Sequence, residues 1–405
     1  MNMTRRTAYD AALDVLKRLR DAGHVSLFAG GCVRDRLLQH TPKDYDVATS
    51  ARPDEVLDLY PRARCVGAKF GVVLVRRFGH DIEVATFRTD GCYSDGRRPE
   101  EVAFCSAQED AMRRDFTING LFFDPLEQRV IDYVGGQKDL DEGIVRTIGA
   151  PDKRFEEDHL RMLRAIRFAA RLSFTIHPET MAAVCRQADR LERISPERIW
   201  MELSAILTSP GRSVGWRLLL ESGLRNVLTP HWPSDPDQEA LTGERLAALP
   251  AVPLPPPLVF AACNPHPVVA VCRSLRLSNR LTERVQWLVE RLGDLRGGRS
   301  PELWELKQLM AHVDWQNLLH LLEADLCTTG GDLQVCRQLE RRARAIPPEA
   351  VSPEPLVTGD DLMAMGAVPG PEFGRILDAL YRDQLDEKIV SRKDALTIAR
   401  QRLRE

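Results

Sequence analysis

Two aspartates two residues apart, in Lys43-Asp44-Tyr45-Asp46-Val47, follow closely on Ala29-Gly30-Gly31-Cys32-Val33-Arg34-Asp35. Side chains at i and i+2 of an extended segment project from the same face, so the carboxylates of Asp44 and Asp46 converge on one point. That arrangement suits a divalent metal. A diglycine turn running into a helix start offers N–H groups that have no helical partner and sit at the positive end of the dipole, which suits an anion such as a triphosphate. Asp-x-Asp alone is more often a solvated turn. With Gly30 and Gly31 upstream, and Arg34 one turn into the helix as a charged clamp, it describes a nucleotide and metal site.

Two carboxylates on one strand, with a third on a neighbour, fit two-metal phosphoryl transfer, in which ions about 3.5 to 4 Å apart hold the attacking and leaving oxygens. The candidate third is Glu83, which alternates with Ile82, Val84 and Thr86 and points with Asp81 and Ala85. An exposed strand carboxylate is the equal alternative for it. Neither a Walker A sequence nor a Gly-x-Gly-x-x-Gly fingerprint is present, which removes the basic equipment of a P-loop ATPase or a Rossmann dehydrogenase.

The elements that must position these residues follow from periodicity. Up to about residue 150, short β-rich runs alternate with helices; afterwards nearly everything has helical spacing, so the chain reads as an α+β head with a small mixed sheet on an all-α remainder. Val25 to Ala29 and Tyr45 to Thr49 read as strands, Val33 to Leu38 as a helix, and Pro53 opens another. Val72 to Arg76 and Ile82 to Phe87 form a hairpin. Thr89 to Phe104, with Arg97 and Arg98, reads as a mobile loop near the cleft. Gln108 to Asn119 has helical spacing, and a strand pair lies around Phe122 to Pro125 and Val130 to Tyr133. Arg154 to Leu172 reads as one helix whose buried side is Leu160, Leu163, Ile166, Ala169 and Ala170. Ser195-Pro196 opens a further helix. Leu254-Pro255-Pro256-Pro257 reads as a surface connector, Ile346 to Pro355 as a linker, and two short helices follow.

On that continuous helix Asp158 and Arg161 lie three apart, where they present an acceptor and a donor side by side. The pair could read a base edge. Cytosine and adenine both offer an exocyclic amine beside a ring-nitrogen acceptor, whereas guanine and uracil reverse the order and would leave buried groups unpaired at roughly 1 to 3 kcal/mol each. The alternative is an intrahelical salt bridge on a wet face. Arg164 and Arg167 continue the basic series, toward phosphates or as surface charges.

Composition bounds the partners. The 405-residue chain has a net charge of -3 with 28% charged and 43% hydrophobic residues, so bulk charge does not attract nucleic acid and any such contact needs a local basic surface. Nine cysteines without a Cys-x-x-Cys pair fit reduced thiols. With no secretory signal and no stretch able to span a bilayer, the expectation is a soluble cytoplasmic protein.

These motifs, together with Glu83-Val84-Ala85-Thr86-Phe87-Arg88, Arg113-Arg114-Asp115-Phe116-Thr117-Ile118-Asn119, Glu157-Asp158-His159-Leu160-Arg161 and Ser195-Pro196-Glu197-Arg198 with Glu202-Leu203, make the chain resemble the class II tRNA nucleotidyltransferases and bacterial poly(A) polymerases. The resemblance runs from about residue 25 to 205 and returns weakly at Thr358 to Leu377. It implies a catalytic head (1–150), a neck with the nucleotide-selecting helix (151–210), a body (211–345) and a tail (346–405), body and tail gripping the acceptor end of tRNA. It further implies that Asp44 and Asp46 bind catalytic Mg2+, that Gly31, Arg34 and Arg114 contact the incoming nucleotide, and that Asp158 and Arg161 act as the template for CTP and ATP, with Arg164 and Arg167 as further contacts. Gln39 stands where glycine is common, and Gly67-Ala68-Lys69-Phe70-Gly71 falls between the CCA-adding and poly(A)-adding patterns. The absence of an extended basic tail after Ala399 favours tRNA end repair. The expected activity is template-independent addition of C and A to tRNA 3' ends with release of pyrophosphate; CC-only, A-only or poly(A) addition, and a catalytically silent RNA-binding protein, stay open.

Overall fold

A computed structural model describes residues 6–66, 71–90, 102–228, 232 and 234–404. The Gly67 to Phe70 part of the branch pattern, and Arg97 and Arg98, lie outside them. Contacts divide the chain into two compact units, one of residues 1–230 with 274–276 and the other of 231–273 with 277–405.

The first unit opens with α1 (Ala8–Asp21), whose Thr7 and Asp10 form a capping box that satisfies two donors at its start. Then come β1 (Ser26–Ala29), α2 (Gly31–Leu37), β2 (Val47–Thr49), α3 (Pro53–Leu59), β3 (Arg64–Cys65), β4 (Val72–Arg77), β5 (His80–Thr86), β6 (Arg88–Asp90), β7 (Val102–Phe104), α4 (Ala107–Arg113), β8 (Phe122–Asp124) and β9 (Arg129–Ile131). Seven strands make one sheet in the order β3-β4-β5-β2-β1-β8-β9. Within this sheet, among the described residues, only β2 and β5 pair in parallel, with Val47 opposite Val84. That register sets Asp46 beside Glu83, one residue earlier on each strand. Leu27, Ala29, Ala48, Phe87, Ala111 and Phe122 bury one face of this sheet against α4.

Several local readings change. The strand after the aspartates begins at Val47, so Asp44 and Asp46 lie in the extended approach to it; the Asp46 carbonyl still accepts from the Ala29 N–H at 3.1 Å, extending the ladder by one residue. The ends of the expected loop, β6 and β7, pair as an antiparallel ribbon, and residues 91–101 between them are outside the described set. The helix expected to reach Asn119 stops at Arg113, because Arg114 is extended (φ -67°, ψ 167°) and the Asp115 carboxylate accepts the Phe116 N–H at 2.8 Å. A short 3-10 turn, Thr117–Asn119, follows. Gln39 has φ +59°, the left-handed conformation that favours glycine, which accounts for glycine being common there.

The unit continues with α5 (Gly136–Asp141), β10 (Ile144–Val145), α6 (Pro151–Glu157), α7 (Arg161–Leu172), β11 (Thr175–Ile176), α8 (Pro178–Gln187), α9 (Pro196–Leu207), α10 (Arg212–Glu221) and α11 (Leu224–Leu228). The single helix expected from Arg154 to Leu172 is therefore two. Asp158 breaks it with φ -148° and ψ 103°, and its carboxylate accepts the Leu160 N–H at 3.1 Å, an alternative to helical pairing that Asp side chains favour.

The second unit is helical: α12 (Pro236–Ala248), α13 (Pro256–Ala262), α14 (Val268–Ser274, its last residue counted with the first unit), α15 (Asn279–Arg296), α16 (Leu303–Ala311), α17 (Trp315–Thr329), α18 (Gln334–Arg344), α19 (Pro348–Val351), α20 (Gly359–Ala364), α21 (Pro371–Leu385) and α22 (Arg392–Arg402). The proline triplet is not a surface connector. Pro256 starts α13, where its fixed φ suits a first helical turn, and Pro257 is buried. The second of the helices expected near the end, α21, is long at 15 residues. Val357, Leu362, Ile376, Leu380, Ile389, Ala395 and Ala399 form the core beneath the last three helices. Inside α17, Asp325 is fully buried and accepts from Arg245 at 3.0 Å and Arg296 at 2.8 Å. Removing one partner of a buried ion pair strands the others, so Asp325→Ala is expected to destabilise the second unit by about 3 to 5 kcal/mol. Urea unfolding of the full chain checks this, and a midpoint equal to the parent's would refute it.

Candidate functional site

A cleft of about 530 Å³ in the first unit gathers residues from four stretches of sequence: Gly30, Gly31 and Arg34 from α2 and its approach, Asp46 before β2, Arg113 to Asn119 from the end of α4 onward, and Asp158 to Arg171 around α7. Arg198 of α9 closes it. Eight arginines and three aspartates line it, in a chain whose net charge is negative. Such a cleft concentrates a polyanion by focusing the local field. The lining cations are all arginine, whose planar fork binds phosphate or carboxylate through two N–H groups at once.

At its glycine end, Gly30 has φ +70° and ψ -124°, and a Cβ there would lie 2.9 Å from Arg114 Nη1. A side chain is excluded both by backbone conformation and by the close guanidinium. Arg34 is 3% exposed; it donates to Asp35 at 2.6 Å and to Asn119 Oδ1 at 2.6 Å. Asn119 in turn donates to Asp115 at 3.0 Å, and Asp115 accepts from Arg164 Nε at 2.8 Å. Arg167 pairs with Glu202 at 3.1 Å. Arg34, Arg164 and Arg167 all lie over the Phe168 ring, 4.7 to 5.5 Å from its centroid. Arg164 and Arg167 are thus fixed in the cleft wall and are not free surface charges.

Asp115 is buried, which by itself would raise its pKa, yet Arg164, Asn119 and the Phe116 N–H together hold it down at about 2. A depressed carboxylate contributes stability above its unfolded pKa and loses it as pH falls through the folded value. The parent should therefore lose stability between pH 4 and 2, and Asp115→Asn should show a shallower loss over that window in thermal melts. Parallel curves for both proteins would contradict the role given to Asp115.

The acidic end is crowded. Asp46 lines the cleft, while Asp44 and Glu83 are exposed beside it. Burial raises the Asp46 pKa to about 6, and the charges of Glu83 and Asp44 push the same way while Arg114 opposes them. Glu83 therefore acts electrostatically on Asp46, although among the described residues the carboxylates do not close into a cluster of three able to hold a metal.

Asp158 and Arg161 both line the cleft but do not pair with each other. Asp158 accepts from Arg198 at 3.1 Å, and Arg161 pairs with Glu157. The intrahelical salt bridge between them is absent because Asp158 is not helical. Asp35, Asp115, Asn119, Arg198 and Glu202 are the supporting residues that sequence reasoning had not given roles. Their motif neighbourhood was the available signal; their partners were not.

Family models match three stretches of the chain: "Poly A polymerase head domain" at residues 26–146, "Probable RNA and SrmB-binding site of polymerase A" at 173–234, and "tRNA nucleotidyltransferase domain 2" at 258–399. The CCA-adding enzyme of Geobacillus kaustophilus is 33% identical over 405 aligned residues, covering 96% of this chain and 95% of that protein. The CCA-adding enzyme of Geobacillus stearothermophilus is 33% identical and covers 98% of both. The crystal structure of the Bacillus stearothermophilus CCA-adding enzyme in complex with CTP superposes with a TM-score of 0.80 at 30% identity, covering 98% of each chain.

Proposed function

Since this chain belongs to the CCA-adding enzymes, we propose that its arginine-lined cleft is where CTP and ATP are bound and joined to the 3' end of tRNA. The enzyme is a nucleotidyltransferase that adds C and A to tRNA and releases pyrophosphate. The observation that carries the site assignment is the cleft itself, with eight arginines facing Asp46 and Asp158. Among the described residues no helix is long and apolar enough to cross a membrane. We read the protein as cytoplasmic, and divide it into head, neck, body and tail at residues 150, 210 and 345.

A divalent metal is general to nucleotidyltransferases, and the donor set here fits one. Burial raises the pKa of Asp46, and the charges of Glu83 and Asp44 add repulsion in the same direction. A cation relieves that repulsion. All the donors are hard oxygens, which points to Mg2+. Asp44 and Asp46 would hold it, with Glu83 shaping the local field. When bound, such an ion lowers the pKa of a hydroxyl and offsets charge on the polyphosphate.

The chain's own residues do the rest. The Gly30-Gly31 turn, with Arg114 behind it, provides a side-chain-free wall for the triphosphate. Arg34, Arg164 and Arg167 supply positive charge from fixed positions, so little reorganisation accompanies binding. Asp158 offers acceptor oxygens to an exocyclic amine and Arg161 offers N–H donors to a ring nitrogen. Each is held in the cleft by a separate partner, Arg198 for Asp158 and Glu157 for Arg161, so neither group is spent on the other.

The test supplies tRNA ending before, within and after CCA, plus an unstructured RNA, with each triphosphate in turn. Addition of C, C and A that stops at a completed end is expected. A long A tract grown on the unstructured RNA would instead indicate poly(A) synthesis.

A further inference from the structure

Arg114 backs the diglycine turn, and the group that aims it lies four residues earlier. Asp110, in the first turn of α4, is 1% exposed. Its Oδ2 accepts from Arg114 Nε at 3.1 Å and from Arg114 Nη2 at 3.0 Å. Its Oδ1 accepts from Arg113 Nε at 2.9 Å and from the backbone N–H of Arg88, where β6 begins, at 3.3 Å. One buried carboxylate thus holds two guanidiniums and a backbone amide. Burial by itself would raise the Asp110 pKa, yet the charges of Arg114 and Arg113 hold it below the usual carboxylate range, so the group stays charged at neutral pH.

A guanidinium carries five N–H groups, one on Nε and two on each terminal nitrogen. Asp110 takes the Nε–H of Arg114 and one N–H of its Nη2, and the Asn119 carbonyl takes one N–H of Nη1 at 3.3 Å. One N–H on each terminal nitrogen is left without a partner among the described residues. Nη1 lies against Gly30, where a Cβ would come within 2.9 Å of it. The Phe122 ring, with its centroid 5.0 Å from the guanidinium carbon, backs the fork. Held on three sides, the guanidinium meets a ligand in the orientation its neighbours set, and little rotamer freedom is lost on binding.

We propose that Asp110 is a positioning residue for the polyphosphate of the nucleotide: it fixes the Arg114 guanidinium so that its two remaining N–H groups meet phosphate oxygens lodged at the Gly30-Gly31 turn. The inference rests on the cleft being the triphosphate site, as proposed above. Asp110 itself touches no substrate. The position requires a carboxylate and not merely an acceptor, because each oxygen faces guanidinium N–H groups. An amide in its place sets its NH2 against one of them whichever way it is turned.

The experiment uses the full chain in saturating Mg2+ and measures the affinity for CTP and for inorganic pyrophosphate, together with kcat/KM for CTP and UTP. Asp110→Asn is expected to weaken CTP and pyrophosphate binding roughly ten- to a hundredfold each, the size of a lost hydrogen bond to a charged group, and to leave the preference for CTP over UTP unchanged. Base choice separates positioning from general damage. Arg161 donates to the Arg113 carbonyl at 3.4 Å, so a variant that displaced α4 as a whole would loosen base selection as well. In an Arg114→Gln background the change at Asp110 should weaken pyrophosphate by no more than about twofold, since no guanidinium is left to aim. If Asp110→Asn does not fold, Asp110→Glu, which keeps the charge and moves it by one methylene, takes its place in the cycle. On the parent itself, the Arg114 Nε–H should exchange slowly with solvent, and its resonance should shift when pyrophosphate is added.

Pyrophosphate affinity equal to the parent's, losses that add in the double variant, base choice that relaxes along with affinity, or an Arg114 resonance indifferent to pyrophosphate would each overturn the proposal. Incorporation by the parent protein is scored separately. A parent that adds no C or A, yet whose pyrophosphate affinity depends on Asp110, would end the activity reading and leave this role standing; a parent that adds both with pyrophosphate affinity independent of Asp110 would do the reverse.

Discussion

Asp46→Ala is expected to lower incorporation of C and A by about a thousandfold or more, because a bound cation contributes several kcal/mol to stabilising the transferred charge. Asp44→Ala should have an effect of the same kind. Both variants should bind tRNA as the parent does, since removing a carboxylate takes no cation away from the RNA phosphates. Asp46→Asn separates catalysis from folding. In the parent the folded carboxyl titrates near 6, above its usual range, because burial and its acidic neighbours disfavour the charged form. A raised carboxylate makes the folded state bind more protons than the unfolded chain, so metal-free stability falls as pH rises from about 4 through 6. Asp46→Asn removes that penalty. In chelator at pH 7 it should melt higher than the parent while being nearly inactive, and added Mg2+ should raise the parent's Tm more than the variant's. Undiminished turnover in either alanine variant would remove the metal assignment.

Asp158→Ala should relax nucleotide choice. The parent is expected to favour CTP and ATP over GTP and UTP because the wrong bases would leave Asp158 or Arg161 unpaired, at roughly 1 to 3 kcal/mol per group, or about five- to a hundredfold in kcat/KM. Without the carboxylate that selection weakens, and kcat/KM for the correct nucleotides falls as well. Arg198 loses its partner in the same variant, so thermal melts must accompany the kinetics to separate a loosened cleft from a lost recognition group. Full discrimination against GTP and UTP in a folded Asp158→Ala enzyme would end the template assignment.

Much of this site follows from short-range patterns. Asp44-x-Asp46, the diglycine turn before α2, the alternation that sets Glu83 opposite Ile82 and Val84, and the Ser-Pro start of α9 are each visible within a few residues, because strand and helix periodicities repeat over two to four positions. The family resemblance, carried by those same runs, extended the reading to an α+β head and a helical remainder. Two failures also have local causes: Asp158 and Asp115 both end helices by offering their carboxylates to nearby N–H groups, a competition that hydrophobic spacing does not register.

Tertiary structure alone decided which charges face one another. Arg34 finds Asn119 across 85 positions, Arg164 finds Asp115 across 49, and Asp158 finds Arg198 across 40. No residue spacing encodes such pairings; they arise when the parallel β2–β5 ladder and the packing of α7 on α9 close the chain on itself. In the sequence the arginines are scattered through a chain of net charge -3, and the fold assembles eight of them around one cleft. The chemistry was legible because functional groups are chosen residue by residue, whereas their number, orientation and partners depend on long-range contacts that exist only once the chain has folded.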